Sequence, residues 1–183
     1  HPLRGQNNVQ GASDAGLIPM VFPDYQSVEV PGIRSKFEEF WKTELDPEKG
    51  LTVVEIMDAV HEGVIRGMYV MGENPAMSDP DAQHAREGLA KLEHLVVQDI
   101  FLTETAFHAD VVLPASAWPD KDGTVTTTNR QVQIGRQALE MPGNARQDWW
   151  IIQEIATRIG LDWTYTHPSD VFAEMSEIMP SFN

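Results

Sequence analysis

The segment Arg4-Gly5-Gln6-Asn7-Asn8-Val9-Gln10-Gly11 sets four side-chain amides between two glycines, with one guanidinium just before them. An arginine fork suits carboxylates and phosphates, and clustered amides can hydrogen-bond the edge of a heterocycle. A flexible, solvated linker is the simpler reading of that composition alone. Three further polar groups follow short apolar runs: Met71-Gly72-Glu73-Asn74-Pro75, Gln98-Asp99 and Pro114-Ala115-Ser116. Gly72 permits close backbone approach, Asn74 and Ser116 offer donors and acceptors, and Asp99 can accept two hydrogen bonds, as a guanine edge or a ribose requires. Singly, each is an ordinary turn or cap residue.

The elements that must position these groups can be read from hydrophobic period and punctuation. Residues 65–71, 94–98 and 109–113 read as short buried strands. Thr52 with Glu55 forms a capping box ahead of a helix over 53–62, and Asp79, Pro80 and Asp81 predict the start of another running to Leu92. Residues 33–44, 148–159 and 169–179 have helical spacing, and Thr103–Phe107 is a short helical turn. Residues 123–128 are β-rich and polar, as in an edge strand or hairpin. Strands alternating with helices predict an α/β fold: a Rossmann-like, mostly parallel sheet flanked by helices. Residues 1–32 are expected to be an irregular connector, and 33–183 a single α/β domain. In open parallel sheets, ligands sit beyond the carboxyl ends of the strands, so the three polar strand ends converge on one candidate site for a nucleotide-like ligand.

Composition removes several classes of function. Thirteen basic against twenty-eight acidic residues give a net charge of −15, which repels phosphate backbones and anionic membrane surfaces. Nucleic acid is therefore not an expected partner, and no apolar run approaches the roughly 20 residues that span a bilayer. A hydrophobic content of 42% is enough for a core and argues against an acidic disordered tail. With no cysteine there is no disulfide, thiolate metal site or thiol nucleophile, which fits a cytoplasmic compartment. The start, His1-Pro2-Leu3, reads as the edge of a piece cut from a longer chain. Neither a Gly-x-Gly-x-x-Gly turn nor a Gly-Lys-Ser/Thr loop is present. None of the six histidines has the i, i+4 spacing of a helical metal site, and Ser116 lacks a nucleophile-elbow context, so no metal ligand is assigned.

RGQNNVQG at 4–11 followed by Ala12-Ser13-Asp14, MGENP at 71–75, QDIF at 98–101, ADVVLPAS at 109–116 and the DWW helix from 148 occur in one order. In that order they resemble the molybdopterin oxidoreductases, and RGQNNVQG resembles the formate dehydrogenases among them, with wording closest to the catalytic alpha subunit of the cytoplasmic NAD-dependent type. The resemblance implies oxidation of formate to CO2 on molybdenum or tungsten held by two molybdopterin guanine dinucleotides. It also implies a cysteine or selenocysteine ligand and a [4Fe–4S] cluster, both outside this cysteine-free chain, and partner subunits carrying iron–sulfur and flavin or NAD sites. By this resemblance Arg4 is the arginine that orients formate, and Gln6 touches the pterin. Asn74, Ser78, Gln98, Ser116 and Asp148 match further cofactor contacts. Gly72 and Asp99 join them on strand-end placement. The 183 residues alone are expected to be inactive. A sister oxyanion reductase, such as a nitrate reductase, and a non-redox nucleotide-binding module are the alternatives.

Overall fold

The computed structural model describes residues 8–127 and 129–182. In chain order the helices and strands are α1 (Val9–Asp14), β1 (Val21–Phe22), β2 (Gln26–Ser27), α2 (Pro31–Trp41), α3 (Val53–His61), β3 (Gly67–Met71), α4 (Pro75–Ser78), α5 (Ala82–Leu89), β4 (His94–Asp99), β5 (Val111–Pro114), β6 (Gly123–Thr126), β7 (Val132–Gly135), α6 (Asp148–Arg158) and α7 (Pro168–Ile178). They fall into two compact units. One gathers the described parts of 1–50, 122–136 and 165–183; the other holds 51–121 and 137–164.

The second unit contains the expected α/β arrangement. Strands β3, β4 and β5 lie side by side in that order, both pairs parallel. Met71 pairs with Gln98, Gln98 with Leu113 and Asp99 with Pro114, so the three carboxyl ends are level. The alternation of β4 sends Leu95 and Val97 into a core with Met57 of α3, Val70 of β3, and Ala85 and Leu89 of α5. Full burial of each such leucine or valine is worth about 1.5–3 kcal/mol. The period of two turns Gln98 to the other face, where the start of α6 meets it. The carboxylate of Glu55 accepts from the N–H and Oγ1 of Thr52, both at 2.7 Å, which secures the start of α3.

One boundary differs from expectation. The helix expected from Asp79 to Leu92 is the shorter α5, Ala82–Leu89, and the one-turn α4 ends at Ser78 before it. Pro80 disfavours helical geometry in the residue before it, and Asp79 is extended at φ −66°, ψ 145°. Asp81 is the working cap, accepting from the His84 N–H at 3.0 Å.

In the first unit, residues 9–32 carry more structure than an irregular connector. They form α1, the β1–β2 hairpin and the beginning of α2. Phe22 stacks on Phe37 with ring centroids 4.5 Å apart, in a core closed by Val28, Ile178 and Met179. Its pattern is irregular because strands of two residues are too short to show a period. Strands β6 and β7 form the expected hairpin. Asn8 extends it: its Oδ1 accepts from the Thr126 N–H at 2.8 Å and its Nδ2 donates to the Thr124 carbonyl. A Cβ on Gly11 would lie 2.2 Å from that Oδ1, so a side chain at position 11 would push the Asn8 amide off β6.

Candidate functional site

At the level ends of β3, β4 and β5 most polar side chains grip one another. Gln98 is fully buried. Its Oε1 accepts from the Tyr69 hydroxyl, and its Nε2 donates to Asp148 Oδ1 at 2.8 Å. The other oxygen of Asp148 is paired with Lys121. Asp148 also opens α6, where the helix dipole favours a negative charge. Burial, and after it the charge of Asp148, pushes the ionisation of Tyr69 above its ordinary range, so its hydroxyl stays protonated and a donor. The run Tyr69–Gln98–Asp148–Lys121 thus fixes both ends of a buried amide and ties the sheet to α6.

A second tie joins β3 to the segment after β4. Asn74 Oδ1 accepts from the N–H and Oγ1 of the buried Thr105, at 3.1 and 2.7 Å, and its Nδ2 donates to Glu104 at 2.8 Å. That last bond is the main reason the Glu104 carboxyl ionises below its ordinary range. Ser78 is exposed, and its Oγ donates back to the Asn74 carbonyl at 3.1 Å. Asp99 Oδ1 accepts from the N–H groups of Ile100 and Phe101, an Asx turn that leaves Oδ2 unused by that turn.

Two positions are open. Gly72 has a left-handed φ of 66°, and no heavy atom lies within 4 Å of where its Cβ would stand. Ser116 is fully buried; its N–H donates to the Arg146 carbonyl at 2.9 Å, and its Oγ has no partner among the described residues. A buried hydroxyl without a partner is costly. Phe101, Leu102, Phe107 and Trp118 stay well exposed in the segments that follow β4 and β5, and Arg146 is an exposed cation next to Ser116 in the ladder.

The expected site residues therefore separate. Gly72, Asn74, Gln98, Asp99, Ser116 and Asp148 are gathered at the carboxyl end of one sheet, and Ser78 follows one helical turn after Asn74. Arg4 and Gln6 lie outside the described residues. Tyr69, Thr105 and Lys121 were not anticipated. The alternation of β3 placed Tyr69 on the face of Gln98, but Thr105 and Lys121 sit in turns with no period to reveal them.

A family model described as molybdopterin oxidoreductase matches residues 4–158. The chain belongs to the molybdopterin oxidoreductase family. Among its relatives, the alpha subunit of an F420-dependent formate dehydrogenase of Methanocaldococcus jannaschii is 51% identical, over all of this chain and 27% of its own length. A formate dehydrogenase homologue of Bacillus subtilis, YrhE, is 49% identical over all of this chain and 19% of its own. The chain thus spans about a fifth to a quarter of these relatives. Acetylene hydratase from Pelobacter acetylenicus shares the fold, with a TM-score of 0.55 at 22% identity over 73% of this chain and 20% of that protein. For a molybdopterin oxidoreductase, the unpartnered Ser116 hydroxyl and the open backbone at Gly72 are features that fit a bound cofactor. No helix among the described residues is long and apolar enough to cross a membrane.

Proposed function

We propose that this chain is the part of a formate dehydrogenase catalytic subunit that grips one arm of a molybdenum- or tungsten-bound bis-molybdopterin guanine dinucleotide. The RGQNN segment lies in the lead-in over 1–32, and the grip lies within 33–183. The location rests on the buried, unpartnered Ser116 hydroxyl at the end of a parallel sheet; the substrate rests on the whole-length likeness to formate dehydrogenase subunits.

Each side chain has a definite task in this reading. Ser116 donates to a phosphate or ribose oxygen, Asp99 Oδ2 accepts from a guanine edge, and Gly72 leaves room for the nucleotide against the backbone. Asn74, Ser78, Gln98 and Asp148 hold the strand ends in place. Gln6 touches the pterin. Arg4 presents its fork to the carboxylate of formate and fixes its orientation. The bound cofactor supplies the two-electron redox chemistry. Thiolate or selenolate ligands, and those of a [4Fe–4S] cluster, come from elsewhere in the subunit, because this sequence has no cysteine. Electrons pass to iron–sulfur and flavin or NAD-binding subunits in the cytoplasm.

Formate-dependent dye reduction by the complete subunit, shown to contain metal and pterin, tests the reading. Activity in the parent that collapses in Arg4→Ala is expected. A loaded subunit inert toward formate overturns the substrate assignment, and an active Arg4→Ala subunit overturns the role of Arg4.

A further inference from the structure

Where α3 packs on α5, four side chains that the strand-end site does not use come together. The imidazoles of His61, in the last turn of α3, and His84 of α5 lie face to face, with ring centroids 3.9 Å apart and planes 13° from parallel. Gly88 gives the His61 ring its place: a Cβ there would stand 3.2 Å from Nε2 and 3.3 Å from Cδ2. Glycine is a poor helix former, so α5 is weaker at the point where the ring rests. His84 Nε2 donates to Asp58 Oδ1 at 3.2 Å.

Both nitrogens of His61 are engaged, and their partners fix where its proton sits. Nε2 is 2.9 Å from the His84 carbonyl, which can only accept, so Nε2 carries the hydrogen. Nδ1 is 2.8 Å from Lys91 Nζ, which donates, so Nδ1 presents its lone pair. His61 is thus a neutral imidazole holding an amine at its basic nitrogen. Lys91 is exposed, and its amine meets an imidazole where that of Lys121 meets a carboxylate, Asp148. Lys91 follows the end of α5, where the helix dipole favours the ammonium, so it becomes nucleophilic only when a proton leaves. A nucleophile within about 2.6–3.2 Å of a base, with the base oriented by a third group, is the geometry of an activated nucleophile. Lys91, His61 and the His84 carbonyl meet it.

Two features select the electrophile. The net charge of −15 repels anionic donors, which favours an uncharged one. The cluster offers a leaving group no more than the proton it has just taken, so the donor must carry a group that departs readily near neutral pH, a thiolate rather than an alkoxide. We propose that Lys91 is a site of acylation by small, neutral thioesters, with His61 as the general base. The Lys91 nitrogen attacks the acyl carbon and a C–N bond forms. Its surplus proton passes to His61 Nδ1. The C–S bond breaks, and the proton leaves on the sulfur, so that an amide and a free thiol result and His61 is neutral again.

N,S-Diacetylcysteamine, an uncharged thioester, is the probe, and peptide mass spectrometry reads the acetylation of each lysine over time. In the folded chain Lys91 should react about a hundredfold faster than the exposed Lys42 and Lys49, the lower end of what general-base catalysis contributes. His61→Gln should bring Lys91 down to the rate of Lys42 and Lys49 and leave those two unchanged. If that variant fails to fold, the parent chain unfolded in urea supplies the comparison: there the three lysines should react alike. Lys91 reacting no faster than Lys42 and Lys49 in the folded chain, or as fast in folded His61→Gln as in the parent, overturns the proposal. A preference for Lys91 that survives unfolding overturns it too, because it would come from the local sequence and not from His61.

Discussion

Replacing Ser116 by alanine should move two measurements in opposite directions. The side chain is fully buried and its Oγ has no partner among the described residues. Burial of such a hydroxyl costs about 1–3 kcal/mol in protein mutational data. Alanine removes that cost and forfeits the contacts of one heavy atom, at about 0.1–0.2 kcal/mol each. The net gain for the cofactor-free chain is roughly 0.5–2 kcal/mol. With a urea slope of about 1–3 kcal/mol/M, the unfolding midpoint should rise by about 0.2 to 2 M. Trp118, Trp149, Trp150 and Trp163 all belong to the unit that carries Ser116, so tryptophan fluorescence reports it. In the complete subunit the proposed reading reverses the sign, because alanine would remove the bond proposed between Ser116 and the cofactor. A hydrogen bond to a charged oxygen is worth about 1.5–3 kcal/mol, or roughly ten- to a hundredfold in cofactor retention, read as metal and pterin per protein. If Ser116→Ala lowers the urea midpoint, the hydroxyl has a structural partner and the reasoning fails. Unchanged cofactor content would equally refute a hydroxyl that faces the ligand.

Three further outcomes test the frame around it. Gln98→Leu keeps the volume but removes the bonds to Tyr69 and Asp148; it should cost about 2–3 kcal/mol in the same urea assay, and a loss under about 0.5 kcal/mol, within the scatter of ordinary surface substitutions, would show that the network does not organise the sheet. Asn74→Ala leaves the buried Thr105 hydroxyl without its acceptor; about 1–3 kcal/mol should be lost, and the Glu104 carboxyl, read by NMR titration, should ionise closer to its ordinary range because its largest lowering contact is gone. Tyr165 is pushed up to about 12 by burial and then by Glu174; its folded value lies above the usual value of about 10, so the stability it contributes is intact below pH 10 and is lost as pH rises toward 12. Ultraviolet titration should show Tyr69 and Tyr165 ionising late, and the Tyr165 transition should move earlier in Glu174→Gln; an unshifted transition would exclude the contact.

Period and punctuation made the three strands of the sheet legible, because short apolar runs bounded by turn residues read as strands. They also brought Gly72, Asn74, Gln98, Asp99 and Ser116 to one edge, since residues just past an apolar strand have nowhere else to be. The helix expected from Asp79 was misplaced because two acceptable caps stand two residues apart, and the proline between them decides which is used. Residues 9–32 concealed their structure for a different reason. Their order depends on single contacts far apart in sequence, such as Asn8 with β6 and Arg130 with Asp14, which no local window contains. Thr105 and Lys121 escaped notice in the same way: each is a turn residue whose importance comes from a distant partner.

The strand ends also separate two tasks that a sequence motif merges. Asn74, Gln98 and Asp148 occur where cofactor contacts are expected, yet their side-chain groups already have partners within the chain: Gln98 with Asp148, and Asn74 with Thr105 and Glu104. A group already bonded inside the protein gains little by touching a ligand, but it fixes the backbone that does touch it; preorganisation of this kind sets how closely a ligand is held. Ser116 is the opposite case, unsatisfied in the chain and able to gain from a ligand. Substitutions in the frame should therefore lower stability and cofactor retention together, whereas Ser116→Ala should raise the first and lower the second. The sign of that correlation, residue by residue, distinguishes a side chain that positions the cofactor from one that binds it.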